Sequence, residues 1–383
     1  MSEHLQESPS LLIVSDTAMF EKNGRVWAFG PVVREMSVFL NLFEKVVWIG
    51  FERKDRFEDP TMDTVPDGVK CVLLPPSGGH GIIAKVGVLW NTPLMCKAIL
   101  KNVLVHKVIH TRAPSSPAFL AALMSMFFPK KIWWHKYAGN WVQESPPFFY
   151  GLQRWWLSKV KWSKVTINGH WPDQPSHCLS FENPCLTEED RQAGKQALAE
   201  KSFRPPWRLC FVGRLETAKG VGRILEALKQ YPQPEQIEAL HLVGDGSERA
   251  KFEQMAEQLA VPVYFHGFLP REQVFEIYKK CHFFLLPSTA SEGFPKVIAE
   301  AANFGCVPVV SNVSAISHYV EQGVSGNVWR IEEGHFSSFF QAVFSYTEEE
   351  VFVRYAETAY EMAGLFTFSR YNERIRREIL SET

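Results

Sequence analysis

With 383 residues, 46% of them apolar and 22% charged, and a net charge of −1, the chain has the bulk of a two-domain globular protein, not of a disordered tail or a small cross-linked scaffold. Its 24 Gly and 24 Pro follow no period, which excludes collagen-like and low-complexity designs, and its seven scattered cysteines show no C-x-x-C or Cys/His ligand spacing, so they read as reduced core residues with no metal site. The opening MSEHLQESPS is polar and acidic, and no window reaches the roughly 18 apolar residues of a membrane span, so a cytoplasmic protein without a signal peptide is expected.

In chain order, residues 11–15 read as a strand, 16–24 as a polar loop, 26–43 as an amphipathic helix and 45–50 as a second strand. That βαβ unit sets the class as α/β. The alternation continues with strand 69–74, helix 82–101, strand 107–110, helix 117–126 and strand 131–135. Between 172 and 190 a Pro-bounded extended segment precedes a helix-capping signature and a helix through Glu200, which predicts a domain boundary. A second series follows, with strands 208–212, 239–243, 263–266, 283–287 and 307–310 separated by helices 220–229, 248–258, 271–280 and 295–304. Two doubly wound domains of similar size are expected.

Charge is uneven between them. Residues 101–170 hold ten Lys or Arg against the single acid Glu144, a local +9 that leaves −10 for the rest of a chain whose total is −1. The same stretch contains Trp133, Trp134, Trp141, Trp155, Trp156 and Trp162 and the aromatic run Phe148, Phe149, Tyr150. Basic residues mixed with Trp suit an anionic membrane surface. A solvated basic face over core tryptophans fits the same text. No nucleic-acid module accompanies the charge.

Two segments carry chemistry. In FVGRLETAKGVGRILEAL (211–228) a strand ends at Gly213 and a helix begins near Lys219, so helix-terminal amides, the planar fork of Arg214 and the compact charge of Lys219 converge where a phosphate or diphosphate would sit. The spacing is not that of a P-loop. Taken alone, two cations on a loop also fit a solvated connection. In PSTASEGFPKVIAEAANFG (287–305), Glu292 lies in a loop after a strand and Glu300 on the next helix, with Pro295 suited to the first turn. Eight residues of helix span at most about 12 Å, too far for an assumed acid/base pair but apt for gripping two hydroxyl-bearing ends of one elongated ligand. An exposed helix residue and a first-turn carboxylate are the plain alternative.

In this order and spacing, VGRLETAKG, LVGDGSE, HGFLP and above all EGFPKVIAEA resemble the nucleotide-sugar domain of retaining GT-B glycosyltransferases of the family-4 type. The likeness is close over 183–328 and only topological before it. The resemblance implies two Rossmann-like domains facing a cleft: an acceptor-side domain over 1–182, a donor domain over 183–365, and a closing helix over 366–383, FTFSRYNERIRREIL, that returns to the first domain. It implies transfer, with retention, from a nucleoside-diphosphate sugar to a saccharide or lipid-linked saccharide, in surface polysaccharide or glycolipid assembly, without a metal or other cofactor. Arg214 and Lys219 would neutralise the diphosphate, Glu300 would hold the ribose and Glu292 the sugar. The amides of Phe294, of the neighbours of Pro295 and of Val297 would meet sugar and phosphate, and Phe268 would flank the base. In the first domain the family's Gly-rich loop is represented by Gly24, which also fits a simple turn. The family's functional histidine best fits His135, with His110 the alternative and Arg112 a further cleft-facing candidate. An epimerase, a phosphorylase or a non-catalytic binding protein on the same fold are the competing readings.

Overall fold

The structure, a computed structural model, describes residues 9–77, 82–345 and 348–381, and over 82–89 the backbone alone; the polar opening at 1–8 lies outside the described residues. The chain forms two compact units. One runs to Phe181 and takes in the chain again from Arg370, and the other is Glu182–Ser369.

The first unit is built on β1 (Leu11–Lys22), β2 (Arg25–Phe29), α1 (Gly30–Ser37), β3 (Val46–Glu52), β4 (Met62–Thr64), β5 (Val69–Leu74), α2 (Ile82–Val105), β6 (Val108–Ala113), α3 (Ser116–Met124), β7 (Ile132–Tyr137), α4 (Phe148–Leu157), β8 (Lys164–Ile167) and β9 (Cys178–Ser180). Its parallel core runs β5-β3-β1-β6-β7-β8-β9. Leu11 to Val14 are all 0% exposed, the unbroken apolar run of a parallel strand covered on both faces. Alternation then sorts neighbours: Leu11, Ile13, Trp48 and Trp134 join Met36 and Phe39 on one face, while Leu12, Val14, Ile49 and Trp133 join Met95, Ile99 and Val103 of α2 on the other.

Residues 16–29 differ from the expected loop and helix. β1 shifts register between Val14 and Ala18, bends away from the parallel core and pairs antiparallel with β2. The turn between them is Asn23 (φ 53°) and Gly24 (φ 72°), the two left-handed residues that a type I′ hairpin requires. Trp27 stacks on Phe20 across the hairpin, and the helix starts only at Gly30, with Pro31 in its first turn.

The second unit contains α5 (Glu188–Glu200), β10 (Trp207–Val212), α6 (Val221–Gln230), β11 (Ile237–Val243), α7 (Arg249–Ala256), β12 (Val263–Gly267), α8 (Arg271–Lys280), β13 (Phe283–Leu286), α9 (Lys296–Asn303), β14 (Val307–Ser311), β15 (Asn327–Trp329), α10 (Phe336–Ser345) and α11 (Glu349–Ala363). Its sheet is wholly parallel in the order β12-β11-β10-β13-β14-β15. Thr187 and Asp190 cap α5 reciprocally, as the sequence signature predicts.

The last helix, α12 (Phe368–Arg374), continues through a π turn at Ile375–Ile379. Tyr371, Ile375 and Ile379 complete the first unit's core beside Phe39 and Phe43, and Asn372 donates to the Val38 carbonyl at 3.2 Å. Under this helix lies a buried ionic cluster. Glu35, 1% exposed, accepts from Arg112 at 2.9 Å, Lys136 at 2.5 Å and the Tyr371 hydroxyl at 3.2 Å. Two cations on one buried carboxylate make Glu35 the residue whose loss leaves most uncompensated charge.

His110 on β6 and His135 on β7 are both 0% exposed. His110 lies against the Trp134 ring at 3.8 Å, and His135 shares a 2.8 Å hydrogen bond with Thr111, while its Nε2 has no partner among the described residues. Burial pushes the His135 imidazole down to about 3 and His110 well below its ordinary value.

Two outcomes are expected. Glu35→Ala strands Arg112 and Lys136 and lowers the stability of the first unit by about 3–5 kcal/mol, read as an earlier first transition in urea. The unfolded chain takes up a proton at His135 below about pH 6.5, which the folded chain refuses until about pH 3. The stability this histidine lends above pH 6.5 is therefore lost as pH falls through that window. His135→Gln, which cannot titrate, shows a shallower loss on acidification between about pH 6.5 and pH 4 in urea melts at stepped pH.

Candidate functional site

In the second unit β10 lies between β11 on one side and β13 on the other. The chain order reverses there, and at the carboxyl ends of these strands a doubly wound sheet opens a crevice for a ligand. The loop after β10 turns at Gly213 and runs through Arg214 to a short 3₁₀ turn, Thr217–Lys219, ahead of α6. Close packing dictates its glycines. A Cβ on Gly220 (φ 96°) would strike the Pro287 carbonyl, and one on Gly244 (φ 118°) the Gly213 carbonyl. The loop after β13 is strapped to the same turn: Thr289 N donates to the Ala218 carbonyl at 2.8 Å, and the Ser288 hydroxyl to the same oxygen at 3.2 Å.

These straps bring the predicted residues together. Lys219, its side chain only 16% exposed, forms an ion pair with Glu292, whose own backbone N–H donates to the Ser314 hydroxyl at 3.0 Å. Burial, with the charge of Arg214 nearby, lowers the Lys219 pKa, and Glu216 opposes the shift. Arg214 is open to solvent at 69% and pairs with Glu216 at 3.1 Å. The amino termini of α6 and α9 flank this group, and neither cap, Gly220 or Pro295, makes a side-chain cap bond. A half-buried ammonium, an exposed guanidinium and two helix amino ends thus stand together, with a carboxylate on the rim.

The other expected donor residues take separate places. Phe294 is 4% exposed and sandwiched by Phe366 (4.5 Å, 19°) and Tyr319 (4.9 Å), so its ring anchors the loop and only its backbone can face a ligand. Val297 lies in the first turn of α9. Glu300, half-buried on α9, acts electrostatically on Arg271, Tyr278 and Cys185. Phe268, 53% exposed, follows Gly267 (φ 65°) at the end of β12.

Two residues that sequence reasoning missed hold the loops. Arg223 donates to the Thr217 and Pro287 carbonyls and to the Thr289 hydroxyl, each at 3.2 Å, joining both loops from α6. Glu248 accepts from the Thr217 N–H at 2.5 Å and its hydroxyl at 2.6 Å.

In the first unit Gly24 lies in the turn between β1 and β2, and His135 on β7. Gly24 caps a hairpin, and a Cβ there would meet nothing within 4 Å, so the turn alone accounts for the glycine. His135 and His110 are both 0% exposed within the covered sheet. The carboxyl edge of this sheet holds a hollow of ≈ 390 Å³ where β1 bulges, lined by Asp16, Thr17, Arg56, Asp59, Thr61 and Arg112. Like the crevice beside β10, it lies at a switch point, since β1 runs between β3 and β6. Burial raises the Asp16 pKa, while Arg112 pulls it down. Among the described residues no three His, Cys, Asp or Glu side chains converge as a metal site.

No curated protein matches the chain. Solved structures match it along its length: Anabaena HepE in complex with UDP (17% identity, TM-score 0.64, 98% of this chain and 100% of that one). Sucrose-phosphate synthase from Thermosynechococcus elongatus (17%, 0.66, 98% and 100%) and WaaG, a glycosyltransferase involved in lipopolysaccharide biosynthesis (17%, 0.63, 97% and 100%), do likewise. At these identities the likeness shows the fold, α/β and two-domain of the GT-B type. Residues 195–333, which include Arg214, Lys219, Glu292 and Glu300, match the family model for group 1 glycosyl transferases.

Proposed function

We propose that the protein is a retaining glycosyltransferase that moves a sugar from a nucleoside diphosphate to a saccharide or lipid-linked saccharide acceptor, in cell-surface polysaccharide or glycolipid biosynthesis. The observation that carries this reading is the gathering of Lys219, Arg214 and Glu292 between two helix amino ends at the switch point of the second sheet. In this reading Lys219 and Arg214 bind the diphosphate and stabilise the charge that builds on it as the C1–O bond breaks. Glu292 receives hydroxyls of the donor sugar, Glu300 those of the ribose, the amides of Phe294 and Val297 meet sugar and phosphate, and Phe268 flanks the base. The acceptor oxygen attacks from the face the diphosphate leaves, and its proton passes to the departing phosphate oxygen. The protein's own cations handle the phosphate charge, so no metal has a role in this scheme.

The acceptor is assigned to the carboxyl edge of the first unit, where Asp16 and Thr17 can bond hydroxyls and Arg112 and Arg56 can meet an anionic substituent. His135 is given no chemical role, because a sealed imidazole that stays neutral to about pH 3 neither reaches a substrate nor exchanges protons with one. No helix among the described residues is long and apolar enough to cross a membrane, so work at a cytoplasmic membrane face would be peripheral.

UDP is the first nucleotide to test, since HepE was solved with it. At a hundredfold excess over its dissociation constant, a bound nucleotide raises stability by about 2.7 kcal/mol, visible as a rise in Tm. A panel of nucleoside diphosphates that leaves Tm unmoved would overturn the reading. Lys219→Ala keeps the fold and loses about 10²–10³ in kcat with the preferred donor; wild-type turnover in that variant would remove Lys219 from the mechanism. Glu292→Gln separates the two duties of the site. It relieves the carboxylate that competes for Lys219, so it binds UDP at least as tightly as wild type while transferring sugar more than about tenfold slower.

A further inference from the structure

The amino ends of the first unit's strands, opposite the edge assigned to the acceptor, take no part in the chemistry above. β3 is entered from Lys45, β6 from Lys107, β7 from Lys130 and Lys131, and β8 through Lys159 and Lys161. Glu44 and Asp67 are the carboxylates beside β3 and β5, and they leave the edge with a clear excess of cations. Alongside runs α2, which has no Asp or Glu in its 24 residues. Steps of four and three residues put Trp90, Leu94, Lys97, Lys101 and Leu104 on one face of it. At the end of α2 that reaches this edge the face is uncovered: Leu104 is 59% exposed and the adjoining Val105 65%.

Between α2 and the edge strand β5 lies a hollow of ≈ 450 Å³, lined by Lys45, Lys70, Lys97 and Lys101 over an apolar floor of Val47, Val72 and Ala98. Among the described residues none of these four lysines makes an ion pair. His106 also lines the hollow. It is 1% exposed, its Nδ1 is bonded to the Asn102 carbonyl at 2.7 Å, and its Nε2 has no partner among the described residues.

The surface continues beyond α2. Lys131 Nζ donates to the carbonyls of Leu104 (3.3 Å) and His106 (2.6 Å), tying the end of α2 to the loop before β7. Trp162 Nε1 donates to the Ser125 hydroxyl at 3.0 Å, tying the loop before β8 to the turn that presents Met126 and Phe127, 46% and 73% exposed.

We propose that this amino-terminal edge docks on an anionic phospholipid bilayer, with the lysine-lined hollow receiving a headgroup phosphate. The proposal deepens the peripheral-membrane reading above and rests on it. Lysines near an anionic leaflet and Trp at the headgroup level are each favourable, and the apolar side chains between them gain only from an acyl boundary, not from a nucleic-acid backbone. A six-residue strand is about 20 Å long, so the docking edge lies a sheet's height from the Asp16–Arg112 hollow. Docking and turnover are therefore separable by mutation.

The test floats the full chain with vesicles of equimolar phosphatidylcholine and phosphatidylglycerol, and with phosphatidylcholine alone, at low salt. Wild type is expected to float with the anionic vesicles only. Lys97→Glu with Lys101→Glu, and separately Leu104→Ser with Phe127→Ser, each weaken partitioning at least about tenfold, while UDP raises their Tm as it does for wild type. Failure of wild type to float, equal flotation with neutral vesicles, or undiminished flotation of the lysine pair would overturn the proposal. A chain that floats as expected yet ignores every nucleotide would leave docking standing and remove the glycosyltransferase reading.

Discussion

A parallel strand is entered at one edge of its sheet and left at the other, and every crossover helix begins at the edge where the strand ends. That constraint organises both units. It gathers the loops after β10 and β13 beside the amino ends of α6 and α9, so residues as far apart in sequence as Lys219 and Glu292 meet. It also concentrates free amides there, which is why the cations of this unit sit where an anion would already be favoured. The same rule leaves the opposite edge of the first sheet free of loops that end strands, and that edge carries the lysines and exposed apolar side chains.

Legibility in the sequence follows from how local each feature is. In the second unit the α8 boundaries, 271–280, agree with the pattern of the text, and the five predicted strands agree within one or two residues, while β15, α10 and α11 go unpredicted. There each βα unit is punctuated by Gly or Pro and closes its own hydrophobic period. The first unit is less readable where tertiary geometry overrides local pattern. β1 runs on through the polar residues 16–22 because a bulge re-aims it into a hairpin, and the Asn23-Gly24 signal for that hairpin is masked by the polar residues around it, which suit a loop. Trp133 and Trp134 resemble interfacial tryptophans in composition, yet strand alternation in a sheet covered on both faces puts one into each core, at 1% and 0% exposure. Glu35 cannot be found from sequence at all, since its partners, Arg112, Lys136 and Tyr371, come from three distant segments. For the donor site the residue types and their order are legible, but not the Lys219–Glu292 pairing or the bracing by Arg223, both of which depend on two loops being packed together.

That pairing bears on how a donor would be handled. Burial and the charge of Arg214 lower the pKa of Lys219, whose side chain is 16% exposed, and Glu292 is the carboxylate paired with it. A diphosphate would serve Lys219 as well and brings more charge, so on the proposed function its arrival relieves Glu292 of the lysine and leaves the carboxylate to accept from sugar hydroxyls. The two duties of Glu292 are then exclusive and ordered: the carboxylate turns to the sugar only once phosphate has taken its place on Lys219. A free sugar meets a carboxylate already engaged, whereas a sugar carried on a diphosphate releases the very group that holds it. On the proposed function, then, the shared ion pair favours an activated donor over a free sugar, in addition to the contacts that Arg214 and the helix amides make with the diphosphate.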